Sequence, residues 1–581
     1  MRKAITALAV AIAACLAAAA AAVADPGPIQ VAGQSATTQQ QAGAASSATQ
    51  VNPSNTNISI RVLSPGSDGN VTQSNSVGSS ASAGNAASTT QNADQNAGGT
   101  GIQTTQQAAG TDQLALALSD AKQINPSNSN LPIRVLSPGS DGDVTQSNST
   151  TSRADAGNKA GTTQDSSQAQ AGSSCGCDGA GSGIQTADQS AETGQSAGAL
   201  SDAEQIDPSN TAVSVRVLSP GDGGDVSQSN SAASSATAGN DAKTSQDGSQ
   251  TQSAGSCGCA SDPIQIGKQS AATEQDAGAL SAALQKGASN DASPVRVSSP
   301  GSDGDVTQSN DVASSARSGN AATTKQDGTQ TQSGPSCGCA GNAIQVLGQE
   351  AATEQSSTAL SGAVQLFGER SRCGCDGSSN GNGNTASPVR VWSPGSDGDV
   401  TQSNDVASSA TAGNRASTGQ DASQTESGGG LQIQALGQKA ETGQDALAAS
   451  LAAQLGASND ASPVRVWSPG GGGSVDQSNN ASSSAAAGND ARTYQDGRQL
   501  IAGGKCSCVQ LPIQVAGQWA GTAQLAPAYS AAFQLVGHND SSPTSVKSPG
   551  YAGDLSQANS AGSRGDSGNA ASSAEGVSQT S

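Results

Sequence analysis

Along most of the chain, specified and unspecified positions alternate with a strict period of two. In one stretch the specified set is Gln189, Ala191, Thr193, Gln195, Ala197, Ala199, Ser201, Ala203 and Gln205. The same nine-position frame recurs in seven copies, from Gln34–Gln50 to Gln518–Gln534, with Ser357 the one departure. Between these positions the chain wanders, with Glu350 and Glu354 in one copy and Leu525 and Pro527 in another. A second frame follows and reads, in the fifth copy, Val400, Gln402, Asn404, Val406, Ser408, Ala410, Ala412, Asn414, Ala416, Thr418 and Gln420. Charges there take the opposite phase, as Asp405, Arg415 and Asp421 do, and only Glu575 in the last copy slips into the specified one. Successive side chains of a strand point to opposite faces of its sheet, so the pattern predicts strands with one enclosed face. Leu447 and Leu451 offer a helical i, i+4 pair, but a helix would let residues two apart diverge.

The frames belong to one repeated unit. Arg-Val-Leu/Trp/Ser-Ser-Pro-Gly begins at Arg61, Arg134, Arg216, Arg296, Arg390 and Arg465 and returns in worn form at Ser545. A Gln lies 12 residues after each start and an Asn 24 after it. Units begin near residues 29, 102, 184, 264, 344, 433 and 513, so 25–581 reads as a seven-unit repeat region whose last unit is truncated and a candidate cap. Length varies only before each Ile-Gln and between Gln365 and Arg390. Fixed register in one part and free length in another argues against disorder, which composition alone would favour.

The enclosed face is Ala, Ser, Thr, Asn and Gln, so hydrocarbon burial is a weak source of stability here. Stacked identical rungs offer a substitute, because an amide can donate to and accept from the same residue one rung above and below. Three columns are the clearest candidates. They are Gln73, Gln146, Gln228, Gln308, Gln402 and Gln477; Asn85, Asn158, Asn240, Asn320, Asn414 and Asn489; and Gln91, Gln164, Gln246, Gln326, Gln420 and Gln495. Ser-Pro-Gly, Asp-Gly and Ala-Gly-Asn supply turns. The fold class is therefore all-β: a β-solenoid or flattened β-helix with Asn/Gln ladders and several strands per unit of about 80 residues.

Composition removes whole classes of function. Apolar residues make up 33% of the chain and only eight residues are aromatic, which is too little for an ordinary enzyme core. Met1-Arg2-Lys3, the apolar run Ala4–Val23 and Ala22-Val23-Ala24 before Asp25 read as a signal peptide spanning 1–24, predicting a secreted or cell-surface protein with no membrane span in the mature chain. Ile12-Ala13-Ala14-Cys15 also fits a lipobox, but the residues after Cys15 stay apolar, which favours simple secretion. Without Arg2 and Lys3 the chain has 23 basic against 46 acidic residues, a net charge of −23 that should repel nucleic acid and anionic lipid.

Asn414-x-Ala416-x-x-x-Gln420, with Asn85-x-Ala87-x-x-x-Gln91 and Asn158-x-Ala160-x-x-x-Gln164, resembles the Asn-x-Ala-x3-Gln half of the curlin repeat. Gln438-x-Ala440-x-x-x-Gln444 looks like the same pattern with Gln replacing Asn. Curlins are secreted subunits of functional amyloid fibres of the bacterial extracellular matrix, so the resemblance implies a β-solenoid subunit of such a fibre. The chain departs from the family in its much longer unit, in lacking Gln-x-Gly-x-x-Asn, and in carrying Cys-x-Cys loops.

Those loops hold five pairs: Cys175 with Cys177, Cys257 with Cys259, Cys337 with Cys339, Cys373 with Cys375, and Cys506 with Cys508. All ten are disulfide candidates in an exported protein. If a unit spans about four rungs at roughly 4.8 Å each, equivalent loops lie about 19 Å apart, beyond disulfide reach. Pairs would then close locally, bond a neighbouring molecule or bind metal, but zinc prefers wider spacing and His538 is the lone histidine. Gly139–Asp143 and Gly301–Asp305 hint at calcium loops yet match neither the EF-hand nor the calcium β-helix spacing, and read as solvated turns. Catalytic, cofactor-binding and metal residues are expected to be absent, and the chain is not expected to be an enzyme. The expected function is structural: self-association by axial stacking into an extracellular or cell-surface fibre or matrix. The alternative is a monomeric stalk or adhesin whose repeated face binds an extended surface or carbohydrate ligand.

Overall fold

A computed structural model describes residues 28–99, 101–171, 183–253, 262–334, 342–367, 383–428, 430–503 and 510–581. The expected signal peptide lies outside the described residues. So do all ten disulfide candidates, Cys175, Cys177, Cys257, Cys259, Cys337, Cys339, Cys373, Cys375, Cys506 and Cys508.

Each repeat unit forms a single rung. In the second unit the chain runs along Ile102–Ile124, turns through Ser127–Val135 and returns along Val144–Ala171. The equivalent strands of all seven units stack in parallel, unit upon unit, into three sheets. Two are built from the long strands and face each other, and the third lines the turn. Register is residue for residue: Gln107 lies over Gln34 and under Gln189, and Asn240 lies between Asn158 and Asn320. No helix is present among the described residues, and the segment with helical leanings, Ala446–Gln454, lies inside the strand Gly430–Leu455.

One rung per unit corrects the four-rung geometry. Equivalent positions in successive units are separated by one strand spacing, about 4.8 Å, and not by about 19 Å. The distance argument against bonds between neighbouring units, built for pairs such as Cys257 with Cys259 and Cys337 with Cys339, therefore fails. The long frame needs no internal turns, so nothing divides it into shorter rungs.

Between the long strands the core is a column of alanines, with Ala115 and Ala117 of the second unit packed among Ala81, Ala83, Ala154 and Ala156. Methyl side chains let the sheets come close enough for each Gln to span the gap. Gln107 Nε2 donates to Gln34 Oε1 at 3.1 Å and to the Asp165 carbonyl of the opposite sheet at 2.9 Å. Serine hydroxyls form a further chain that crosses from sheet to sheet, with Ser119 to Ser79, Ser152 to Ser119 and Ser201 to Ser152 all at 2.9 Å.

The turn explains its own repeated string. The third residue of Arg-Val-x-Ser-Pro-Gly is left-handed in all seven rungs, from Leu63 at φ 52° to Lys547 at φ 48°. Its side chain points outward, so the position tolerates Leu, Ser, Trp or Lys. The glycine is less free: a Cβ on Gly301, at φ +134°, would lie 2.2 Å from the Gly221 carbonyl oxygen of the rung below.

Replacing Gln326 by Leu tests the ladder as the source of stability. Gln326 donates to Gln246 at 2.8 Å and to the Glu350 carbonyl at 3.0 Å, and accepts from Gln420 at 2.7 Å. Gln326→Leu should destabilise the fourth rung by about 3 kcal/mol, because it orphans buried polar groups while preserving volume. Native-state hydrogen exchange of the fourth and fifth rungs reads this as faster local opening.

Candidate functional site

The three columns singled out from the sequence become continuous hydrogen-bonded ladders. Gln73 through Gln477 are joined by bonds of 2.8–2.9 Å. Asn85 through Asn489 are joined at 2.9–3.0 Å. Gln91 through Gln495 are joined at 2.6–2.8 Å. Each ladder has a direction. In the Gln columns the amide of the later rung donates to the earlier one, as Gln146 does to Gln73. In the Asn columns the earlier rung donates to the later, as Asn85 does to Asn158.

Further ladders escaped the sequence reading. Gln95, Gln168, Gln250, Gln330, Gln424 and Gln499 stack beyond the second frame, and Asn55 through Asn539 stack in the turn. Their period-two spacing with the named columns was the available signal.

One ladder contains an acid in its interior. Gln252 donates to Gln170 and Gln332 to Gln252, but the next residue in register is Glu426, followed by Ile501. The direction of the ladder requires a donor at Glu426, and the Gln332 Oε1 that should receive it has no hydrogen-bond partner, nor does either Glu426 oxygen. Glu426 is 1% exposed, and burial pushes its carboxyl up to about 8. The neutral acid at neutral pH therefore carries the hydrogen that an amide supplies elsewhere in the column.

The arginines opening the turn string form a second buried column. Arg134 contacts Asp141 of its own rung at 2.7 Å and Asp68 of the previous rung at 2.9 Å, and Arg216 reaches Asp141 at 2.8 Å. Asp303 is likewise shared by Arg296 and Arg390. This corrects the solvated-turn reading of Gly139–Asp143 and Gly301–Asp305 at the first aspartate of each, because stacking brings an arginine from the neighbouring rung over Asp141 and Asp303 while Asp143 and Asp305 stay exposed. Asp397 shows the cost: burial pushes it up to about 6 although Arg465 and Arg390 pull it down. The recurrence of Asp seven residues after Arg in four units was the missed signal.

Trp392 and Trp467 stack face to face at 5.1 Å, and the ammonium of Lys547 lies 4.2 Å from the Trp467 ring. Each ring covers a face of the other that a sugar would need. On the outer side of the second long sheet a groove of about 970 Å³ runs across the rungs, lined by Gly157, Gly239, Gly319, Gly413 and Gly488 with Lys159, Asp241 and Arg415 beside them. Among the described residues, no three His, Cys, Asp or Glu side chains gather as metal ligands, and no helix is long and apolar enough to cross a membrane. His538 lies in the exposed last rung, 3.9 Å from Asp540.

Among the described residues, the two ends of the ladder are open: the N-terminal rung pairs only with the second, and the C-terminal rung only with the sixth. The seventh copy, expected to be a truncated cap, adds a full rung ending in the long strand Leu555–Thr580, every residue of which is exposed. Backbone groups and ladder amides at both ends thus lack a neighbour on one side.

Glu426 gives this architecture a pH dependence with a definite sign. Its folded value, about 8, lies above the ordinary 4.5, so the neutral acid's contribution is complete below 4.5 and is lost as pH rises through 8. Glu426→Gln should raise stability by no more than about 1 kcal/mol near pH 5 and by about 5 kcal/mol at pH 9, read by urea denaturation at both pH values. No protein-family model, curated protein or solved structure matches the chain.

Proposed function

We propose that this protein is a secreted structural subunit that builds an extracellular or cell-surface fibre or matrix by axial stacking of its rungs. One observation carries the reading: among the described residues, a seven-rung parallel ladder ends on both sides in a complete, uncovered rung. Each end offers a second copy the template that every internal rung already accepts. The signal-peptide reading of residues 1–24 supports export, and a single histidine with only eight aromatic residues supports a structural role. The ladder physics is what the chain shares with curlin-type fibres.

The glycine-lined groove favours the second reading, a monomeric stalk, because a straight channel across successive rungs suits an extended ligand. Concentration separates the two. Negative-stain electron microscopy of the purified protein over a dilution series should reveal fibres above a threshold concentration. Single short rods at every concentration would exclude the assembly reading and leave the stalk.

A further inference from the structure

We propose that the C-terminal rung receives the N-terminal rung of a second copy, in the register of the internal repeats, and that Glu575 sets the strength of that junction. This rests on the assembly reading above and adds which ends meet, in what register, and what regulates the contact.

Ladder direction decides which ends fit. At the N-terminal rung, Gln30 and Gln34 already lend Oε1 to the second rung, and each keeps one N–H not used within the rung. At the C-terminal rung, Gln514 and Gln518 donate backward to Gln434 and Gln438, leaving Oε1 open on the outer side. The Asn ladders run the other way, so Asn85 presents Oδ1 outward at one end and Asn569 presents Nδ2 at the other. Rung seven against rung one therefore meets donor with acceptor in both kinds of ladder. Two like ends would set donors against donors and acceptors against acceptors. The exposed apolar edges agree, since the repeat register places Ile513 over Ile29 and Val515 over Val31.

Glu575 is the mismatch. It closes the column that runs from Gln91 to Gln495, where the direction calls for a donor to Gln495 Oε1. That oxygen is buried and has no partner, as Gln332 Oε1 has none beneath Glu426. A second copy would cover Glu575 with its own Gln91. The neutral acid then completes the column, with its O–H donating to Gln495 and its other oxygen accepting from the incoming Gln91. The carboxylate instead leaves Gln495 unsatisfied and is itself enclosed. The groups facing Glu575 are uncharged: Gln495 below and, from the opposite sheet, Gln518, which donates to the adjacent Gly576 carbonyl at 3.0 Å. Asp496 and Arg498 beside Gln495 take the outward phase.

The test compares the native protein with Glu575→Gln, which restores the residue found in the other six copies. The threshold concentration for fibres is measured at pH 8 and at about pH 3.5, and fibre repeats are measured by cryo-electron microscopy. We expect Glu575→Gln to lower the threshold about tenfold at pH 8 and to match the native protein at about pH 3.5, below the ordinary glutamate value of about 4.3. A comparison between the two proteins at each pH cancels the general loss of charge repulsion on acidification. Polar stacking of seven rungs at about 4.8 Å predicts a subunit repeat of about 34 Å. Fibres with equal thresholds at pH 8, or with a doubled repeat, would overturn this junction while leaving assembly standing. Absence of fibres from both proteins would instead overturn the assembly reading itself.

Discussion

The structure depends on one interaction: the hydrogen bond from a buried amide to the same amide one rung away. Gln107 bonds Gln34 on one side and Gln189 on the other, and the pattern continues along the rod. Such a bond demands parallel, in-register pairing, because a slip of one residue would turn every Gln to the outer face and bring Asp, Lys and Arg inside. It also sets the unit length, since the chain must travel around a whole rung before the same residue returns. Buried amides are costly without partners, so each satisfied ladder also counts against every other register.

A core of this kind constrains its neighbours. Alanine and serine predominate between the ladders because Gln must reach a carbonyl of the opposite sheet as well as its own column. In-register stacking has a cost wherever a charge repeats. Asp311 lies in register with Asp405, and burial, helped by that neighbouring charge, pushes Asp311 up to about 6. The Arg column meets the same difficulty by sharing aspartates between rungs, so that most arginines touch a carboxylate above or below. Where a single acid enters the interior of a Gln ladder, as at Glu426, burial favours the protonated form, the one that can donate as the column requires.

The opposite directions of the Asn and Gln ladders matter beyond local bonding. Side-chain dipoles along the axis oppose one another, so stacking more rungs need not build one unidirectional field. Each end face nevertheless remains distinct, because donors and acceptors are distributed differently on the two. A rod with unlike, uncovered ends and an acidic surface has the means for oriented end-to-end contact, while its charge opposes indiscriminate sideways association.

Much of this was legible in the residues. The period-two frames identified the strands and their enclosed face, and the constant offsets from Arg61 to Gln73 and Asn85 placed matching amides in matching positions. Periodicity is local, and local spacing reports the face of a strand directly. How many rungs a unit spans was not legible, because that depends on which strands meet across 73 to 94 residues, a separation at which the pattern itself is silent. The burial of Arg134 and Asp141 was hidden for the same reason, since a charged turn looks solvated until the next rung covers it. Sequence thus decided which side chains share a face; tertiary stacking decided which of them are neighbours, and so where charge is buried and where the ladder stops.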